Sequence, residues 1–576
     1  MFTDQSVYIY LLCTILTLSC IQNHATQINV AKKKPNIILI LADDVGTGDI
    51  PGYWNTSLVD MPNIDRLAKM GVTFKDAHST PMCAPSRYMI LSGNYAHRGH
   101  GINGAWNLVE NQNQFMHDQK SIAATLRDEG GYHTSMFGKW HLGGKAPGKT
   151  VTFDENKAGT LLSDPDINWT NPLIQGPQDI GFDSSYITIG GIQSPPYSFF
   201  RDGYLTTNTS EVVYWDKDSE HSMPHGTSII TRGGEGDANW DSSAYNMILV
   251  NETTRFIDNH LAQNKSQPFF TYVALGSVHS PHSPPNQYID GSPVKNEYPT
   301  GHLDLLLEMD KVVGSIVSLV EDRNISNDTI IIFTSDNGGL GRPQDVDGHR
   351  TSGPLRGKKN MIYEGGHRVP LIIRYDHQFP TSAKRQKLIG LNDLYATICD
   401  IVGVQVPVGS AQDSISFAEY ISSAEKTTGM RKKLATWTYG SYESPKAKNK
   451  EAIRFGRFKL VHNIDASTFE LYNLKKDLSE KFNLGKIPTY KAKMYTMYQH
   501  LKTLGPCPGS DDLTTSFRID KEGGKKTCDW FRRNKTKERC EKFSQGRLYC
   551  PSICETNRDY YCSMKQSKAK LDHFFQ

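Results

Sequence analysis

Two stretches of this chain share one construction, and that construction has few structural solutions. Residues 36–42 (NIILILA) are an unbroken apolar run ending in Asp43-Asp44, and residues 329–335 (TIIIFTS) repeat the design, ending in Asp336-Asn337 before two glycines. A run of β-branched and aliphatic residues without polar alternation has no side for water. It reads as a strand buried on both faces, as in a parallel sheet under helices. Helical patterns fall between such strands. Residues 63–70 (NIDRLAKM) follow Pro62, residues 121–129 (SIAATLRDE) precede Gly130-Gly131, and residues 303–320 carry apolar side chains at helical spacing. The alternation predicts an α/β fold, a large doubly wound, mostly parallel sheet flanked by helices. Ligands of open α/β sheets bind beyond the carboxyl ends of the strands. One Asp-Asp or Asp-Asn pair there reads as a turn or a helix cap. Two pairs after matching strands bring four oxygen donors to one edge, and three carboxylates with one amide carbonyl form a hard cage suited to Ca²⁺, Mg²⁺ being the less suited ion.

At 576 residues the chain exceeds what one core usually serves, so several units are expected. Residues 1–25 read as a signal peptide, because the apolar run 7–18 is too short to span a bilayer. Asp4 and the lack of a basic residue before that run leave an uncleaved anchor as the alternative. Residues 33–405 form the expected α/β domain and 406–500 a smaller α+β subdomain, whose short alternating segments, such as 452–461 (AIRFGRFKLV), predict an antiparallel sheet. Between residues 145 and 240 glycine, proline and aromatics replace any period, and this stretch is expected to form loops walling a pocket. Residues 501–576 hold 16 Lys+Arg against 10 Asp+Glu and six cysteines, Cys507, Cys528, Cys540, Cys550, Cys554 and Cys562. They read as a disulfide-stapled basic extension, with zinc the weaker reading. Net charge is +3 overall, so without this +6 tail the chain is slightly acidic, and no nucleic-acid partner is expected. Eight N-x-S/T sequons, at Asn55, Asn168, Asn208, Asn251, Asn264, Asn324, Asn327 and Asn534, agree with export.

Four further segments carry chemistry. Cys83-Ala84-Pro85-Ser86-Arg87, continued by Leu91-Ser92-Gly93, opens as a helix with proline in its first turn and Arg87 one turn beyond Cys83. In Gly138-Lys139-Trp140-His141-Leu142-Gly143, Lys139 and His141 share one side if the segment is extended. Residues 269–285 (FFTYVALGSVHSPHSPP) run from a strand into a loop holding His279 and His282. Pro354-Leu355-Arg356-Gly357-Lys358-Lys359 leads to Tyr363-Glu364-Gly365-Gly366-His367-Arg368-Val369-Pro370.

The first two segments match the two signatures of the sulfatase family, C-x-P-S-R and G-K-W-H-L-G, and the chain resembles that family from about residue 35 to residue 485. The resemblance implies a sulfuric ester hydrolase of arylsulfatase type in which a maturation enzyme, the formylglycine-generating enzyme, converts Cys83 to formylglycine. The aldehyde hydrates, one hydroxyl attacks sulfur, and the other lets sulfate be expelled. It implies a calcium ion held by Asp43, Asp44, Asp336, Asn337 and the modified Cys83. It gives Arg87 the task of steadying the nucleophile, Lys139 the sulfate oxygens, His141 a proton-handling contact, and Lys359 a further sulfate contact, Lys358 being read as surface. His279 would protonate the leaving oxygen, with His282 as its competitor. The expected substrate is a sulfated small molecule or polysaccharide met in the secretory pathway, outside the cell or in a lysosome-like compartment, with no stable membrane span. Two alternatives remain at this point: a phosphomonoester or phosphonate hydrolase, and a sulfatase fold that only binds.

Overall fold

A computed structural model of the chain describes residues 33–100, 106, 112–148, 161–438, 449–464, 466–505, 516–518 and 525–527. The leader and all six tail cysteines lie outside the described residues.

Within the unit from Pro35 onward, the chain builds an 11-stranded sheet. Its principal strands are β1 (Asn36–Ala42), β2 (Val72–His78), β3 (His133–Lys139), β4 (Ser184–Thr188), β5 (Phe269–Ala274), β6 (Thr329–Ser335) and β7 (Arg368–Arg374). Their order is β2-β7-β6-β1-β5-β3-β4, with short strands at both edges. The five strands β6, β1, β5, β3 and β4 are all parallel. β7 lies antiparallel between β6 and β2, so β2 again points with the central five. The carboxyl ends of β1, β2, β3, β5 and β6 therefore meet at one edge, together with the start of β7.

The sheet is central because β1 and β6 feed two cores. Ile37, Leu39 and Leu41 join one cluster, with Leu91 of helix α1 (Cys83–Ser92) and Leu126 of α2 (Ile122–Gly130). Ile38, Ile40 and Ala42 join the other, with Leu249 of α3 (Tyr245–Asn264) and Met309 and Val313 of α4 (Gly301–Asp322). Each large apolar side chain so buried contributes about 1.5–3 kcal/mol against the entropy of ordering it. The helix starts follow the capping rule: Ser121 Oγ accepts the Ala124 N–H (3.0 Å), and the Thr300 side chain accepts from Leu303.

Two expectations change. The stretch up to residue 240 holds β4 and several short strand pairs, including Glu220–Met223 with Gly226–Ile229. Its periods are too short to read from sequence. His141 is also not extended: its φ is +55°, so the alternation argument for Lys139 and His141 fails, although both reach one place by another route.

A second sheet, antiparallel, joins β8 (Lys433–Thr438), β9 (Lys450–Phe455), β10 (Phe458–Asn463) and β11 (Thr468–Asn473). Helix α5 (Lys491–Leu504) covers it, Met494, Met497 and Leu501 packing on Ile453, Leu460 and Leu471. Lys459 of β10 links this sheet to the first, reaching Glu364 and Glu480 at 3.1 Å each. Among the described residues, no helix is long and apolar enough to cross a membrane.

Candidate active site

β1 and β6 are neighbours in register, Ala42 beside Ser335, so Asp43-Asp44 and Asp336-Asn337 leave the sheet side by side. The Asp44 N–H donates to Asp336 Oδ1 (3.2 Å) and Asn337 Nδ2 donates to Asp44 Oδ1 (2.8 Å). Asp44 is held at φ +69°, a conformation that costs energy in a non-glycine residue and is common at functional sites. β2 delivers the chain to α1, whose first residue is Cys83, at the helix end that favours negative charge. β3 delivers Lys139 and His141. Gly138 before them (φ +98°) has to be glycine, since a Cβ there would lie 1.9 Å from the Ala274 carbonyl oxygen.

The side chains interlock. Arg87 Nη2 sits 2.7 Å from Asp336 Oδ2 and 3.2 Å from Asp43 Oδ2, while Nη1 donates to the Lys139 carbonyl (2.9 Å). Lys139 Nζ donates to Asp43 Oδ2 (2.7 Å). Lys359, from the loop before β7, lies 2.6 Å from Asp44 Oδ1. His141 Nδ1 is 3.4 Å from Cys83 Sγ, and His279 Nε2 is 3.6 Å from Asp44 Oδ2. The residues favoured from sequence thus meet around Asp43 and Asp44; of the two alternatives, His282 still lies near enough to Asp44 to feel its charge. His282 packs its ring on His302, and Lys358 donates to the Arg342 carbonyl (3.3 Å).

Burial opposes every charge here, and the balance differs by position. Burial would raise Asp43, yet Lys139, His279, Arg87 and Lys359 hold it below the ordinary carboxylate range. Asp336 is pushed up to about 7 by burial and by the Asp43 charge beside it. Burial lowers Lys359, but Asp44 and its neighbours outweigh this and keep the ammonium charged. Burial pushes the Cys83 thiol up and drives His141 well below its ordinary value. An unmodified Cys83 is therefore a neutral thiol and a weak nucleophile.

The donor set fits a hard cation. Asp43 Oδ1, Asp44 Oδ2 and Asn337 Oδ1 are buried and accept no hydrogen bond. Leaving one such acceptor unsatisfied costs about 1–3 kcal/mol, more for charged oxygens. Three in one cage, with Asp336 beside them, are what an oxygen-liganded divalent ion would satisfy. Asp43, Cys83 and Asp336 also bring one ligand atom each within 4.8 Å of one another.

Two other clusters have metal-like composition, and most of their ring and carboxylate atoms are already in hydrogen bonds, His302 Nδ1 being an exception. His349 Nδ1 accepts the Leu58 N–H (3.3 Å), so its proton is on Nε2 and is donated to Asp49 (2.9 Å). Lys459 donates to His367 Nε2 (3.1 Å), which leaves His367 Nδ1–H to bond His78 Nδ1 (3.0 Å) and His78 Nε2–H to bond Asp76 (2.9 Å). Both are hydrogen-bonded clamps. The sequence reading missed them, and it also missed Glu308, a carboxyl on the buried stripe of α4. A charge within an apolar helical pattern was the available signal.

The chain matches known proteins over most of its length. The sulfatase family profile matches residues 35–404, and a profile for the C-terminal part of N-sulphoglucosamine sulphohydrolase matches residues 357–505. The chain is 28% identical over 503 residues to an N-acetylgalactosamine-6-O-sulfatase of Bacteroides thetaiotaomicron, covering 79% of this chain and 90% of that one. It is 28% identical over 444 residues to human arylsulfatase D, covering 68% and 69%. A solved structure from a study of glycosaminoglycan metabolism by Bacteroides thetaiotaomicron superposes with a TM-score of 0.66 at 24% identity, covering 82% of this chain and 99% of that one.

Proposed function

The chain belongs to the sulfatase family and hydrolyses sulfate esters, and on that premise we propose that it cleaves a sulfate monoester of a saccharide with a nucleophile made from Cys83. The observation that carries the reading is Cys83 at the start of α1, within one cluster with Asp43 and Asp336 and 3.4 Å from His141. The modified Cys83, as a hydrated formylglycine, would supply a hydroxyl nucleophile, and a calcium ion at Asp43, Asp44, Asp336 and Asn337 would lower the cost of ionising it. Arg87, bonded to Asp336 and Asp43, holds two of the cage carboxylates in position. Lys139 and Lys359 carry the positive charge that offsets the incoming sulfate oxygens. His141 is within reach to move a proton at the Cys83 position. Burial and Lys359 lower His279 to about 4 in the free site, and it would give a proton to the leaving oxygen once the charge of the bound sulfate has raised it. The contact of His279 with Asp44 supports choosing it over His282.

The saccharide class is supported by the relative matched over 90% of its length, named for the 6-O-sulfate of N-acetylgalactosamine. A phosphomonoester hydrolase usually sets serine or threonine where this chain has Cys83, and its relatives in Bacteroides thetaiotaomicron and human are named as sulfatases. We retain residues 1–25 as a secretory leader, 33–405 and 406–500 as the two structural domains, and 501–576 as a basic, cysteine-rich extension.

The test uses two substrates. His279→Ala is expected to lose about 10²–10⁴-fold in turnover of an alkyl sulfate such as a 6-O-sulfated hexosamine, the usual worth of general acid catalysis. Nitrophenyl sulfate, whose leaving group needs little protonation, should be affected far less. Equal losses on both would contradict the role, and the same pattern in His282→Ala would transfer it to His282.

A further inference from the structure

Glu308 has a place in no step above, yet its carboxyl is buried in the core, 1% exposed, where an apolar residue would pack without penalty. Its Oε2 accepts from Asn246 Nδ2 (2.8 Å) and from Ser277 Oγ (2.9 Å). Asn246 Nδ2 also reaches Ser277 Oγ, and Asn246 Oδ1 accepts the Gly276 N–H (2.9 Å). The other Glu308 oxygen has no partner. Two helices, α3 and α4, thus grip the residues that follow β5.

Those residues connect to the site by main chain. The Ser277 carbonyl accepts the Asp43 N–H (2.8 Å), and the Asp43 carbonyl accepts the Val278 N–H (2.6 Å). The His279 N–H donates to the Gly276 carbonyl (2.9 Å). A shift at Ser277 would therefore be carried to His279, whereas Asp43 is also held by Lys139 and Arg87.

We propose that Glu308 is a positioning residue of the sulfate-ester reaction, fixing the 276–279 turn through Asn246 and Ser277 and so setting where His279 stands relative to Asp43 and Asp44. This rests on the reading of His279 as the acid for the leaving oxygen. Burial pushes the Glu308 carboxyl up to about 7, so an amide is a close substitute for it. What the turn needs is an acceptor oxygen with two lone pairs, which glutamine keeps and leucine lacks.

The experiment compares Glu308→Leu, Glu308→Gln and His279→Ala in the full-length protein on an alkyl sulfate and on nitrophenyl sulfate. Glu308→Leu is expected to lower kcat on the alkyl sulfate about 10–100-fold, the scale of misplacing a catalytic group by about 1 Å. KM should change little, nitrophenyl sulfate should suffer less, and Glu308→Gln should restore most of the loss. If Glu308→Leu does not fold, Ser277→Ala removes the hydroxyl between Glu308 and the turn and should give a smaller version of the same split. Equal losses on both substrates, or a glutamine variant as poor as leucine, would overturn the positioning role while His279→Ala still shows its split. Loss of the split in His279→Ala itself overturns the underlying reading and this inference with it.

Discussion

Cys83→Ala is expected to lose at least about 10⁴-fold in turnover of every sulfate ester, as removal of a covalent nucleophile does. The fold should survive. Cys83 is a small side chain at the mouth of α1, 6% exposed, and the substitution removes one sulfur atom while leaving the helix and the cage residues in place. The native thiol is no substitute for the proposed nucleophile, because burial raises its pKa and keeps it protonated. Cys83→Ser should fail as well, unless the maturation enzyme of the host oxidises serine. Turnover of an aryl sulfate and thermal unfolding, measured on the same preparation, check this. A folded alanine variant with substantial activity would remove Cys83 from the mechanism.

Asp336→Asn is expected to lose metal and activity together. The cage holds three carboxylates, and replacing Asp336 removes one formal charge and leaves Arg87 with Asp43 alone. Calcium affinity follows ligand charge count, so the loss should exceed the roughly 10–100-fold that removing an outer-shell partner costs. Burial and the neighbouring Asp43 charge raise Asp336, and a divalent ion bound there would favour its ionised form. Elemental analysis after dialysis should find about one calcium per wild-type chain and little in the variant. Adding calcium at about a hundredfold its Kd should stabilise the wild type by about 2.7 kcal/mol and the variant hardly at all. Equal metal content in both would mean that the two acid pairs do not share an ion.

Much of this was legible in the sequence because burial leaves a mark on composition. β1 and β6 could be recognised as strands covered on both faces, and their acid pairs as strand ends, from the run pattern alone. That the two strands are neighbours was not legible, since apolar periodicity reports burial and says nothing of which strand pairs with which. The antiparallel β7 between β6 and β2 was hidden for the same reason. Lys359 and Lys358 differ by one residue in sequence and by their partner in space, Asp44 against a backbone carbonyl. His141 reaches Cys83 with its backbone in a left-handed conformation, which no spacing rule anticipates. Glu308 lay within a helix correctly expected, but its partners Asn246 and Ser277 come from elements 62 and 31 residues away.

The central claim is chemical, and mass spectrometry of the Cys83 peptide tests it most directly. Protein expressed in a cell that matures its own sulfatases should yield a peptide in which the thiol sulfur is gone and an aldehyde oxygen stands in its place, and the peptide should react with a hydrazide. A fully active preparation whose Cys83 peptide keeps an intact thiol throughout would contradict the account.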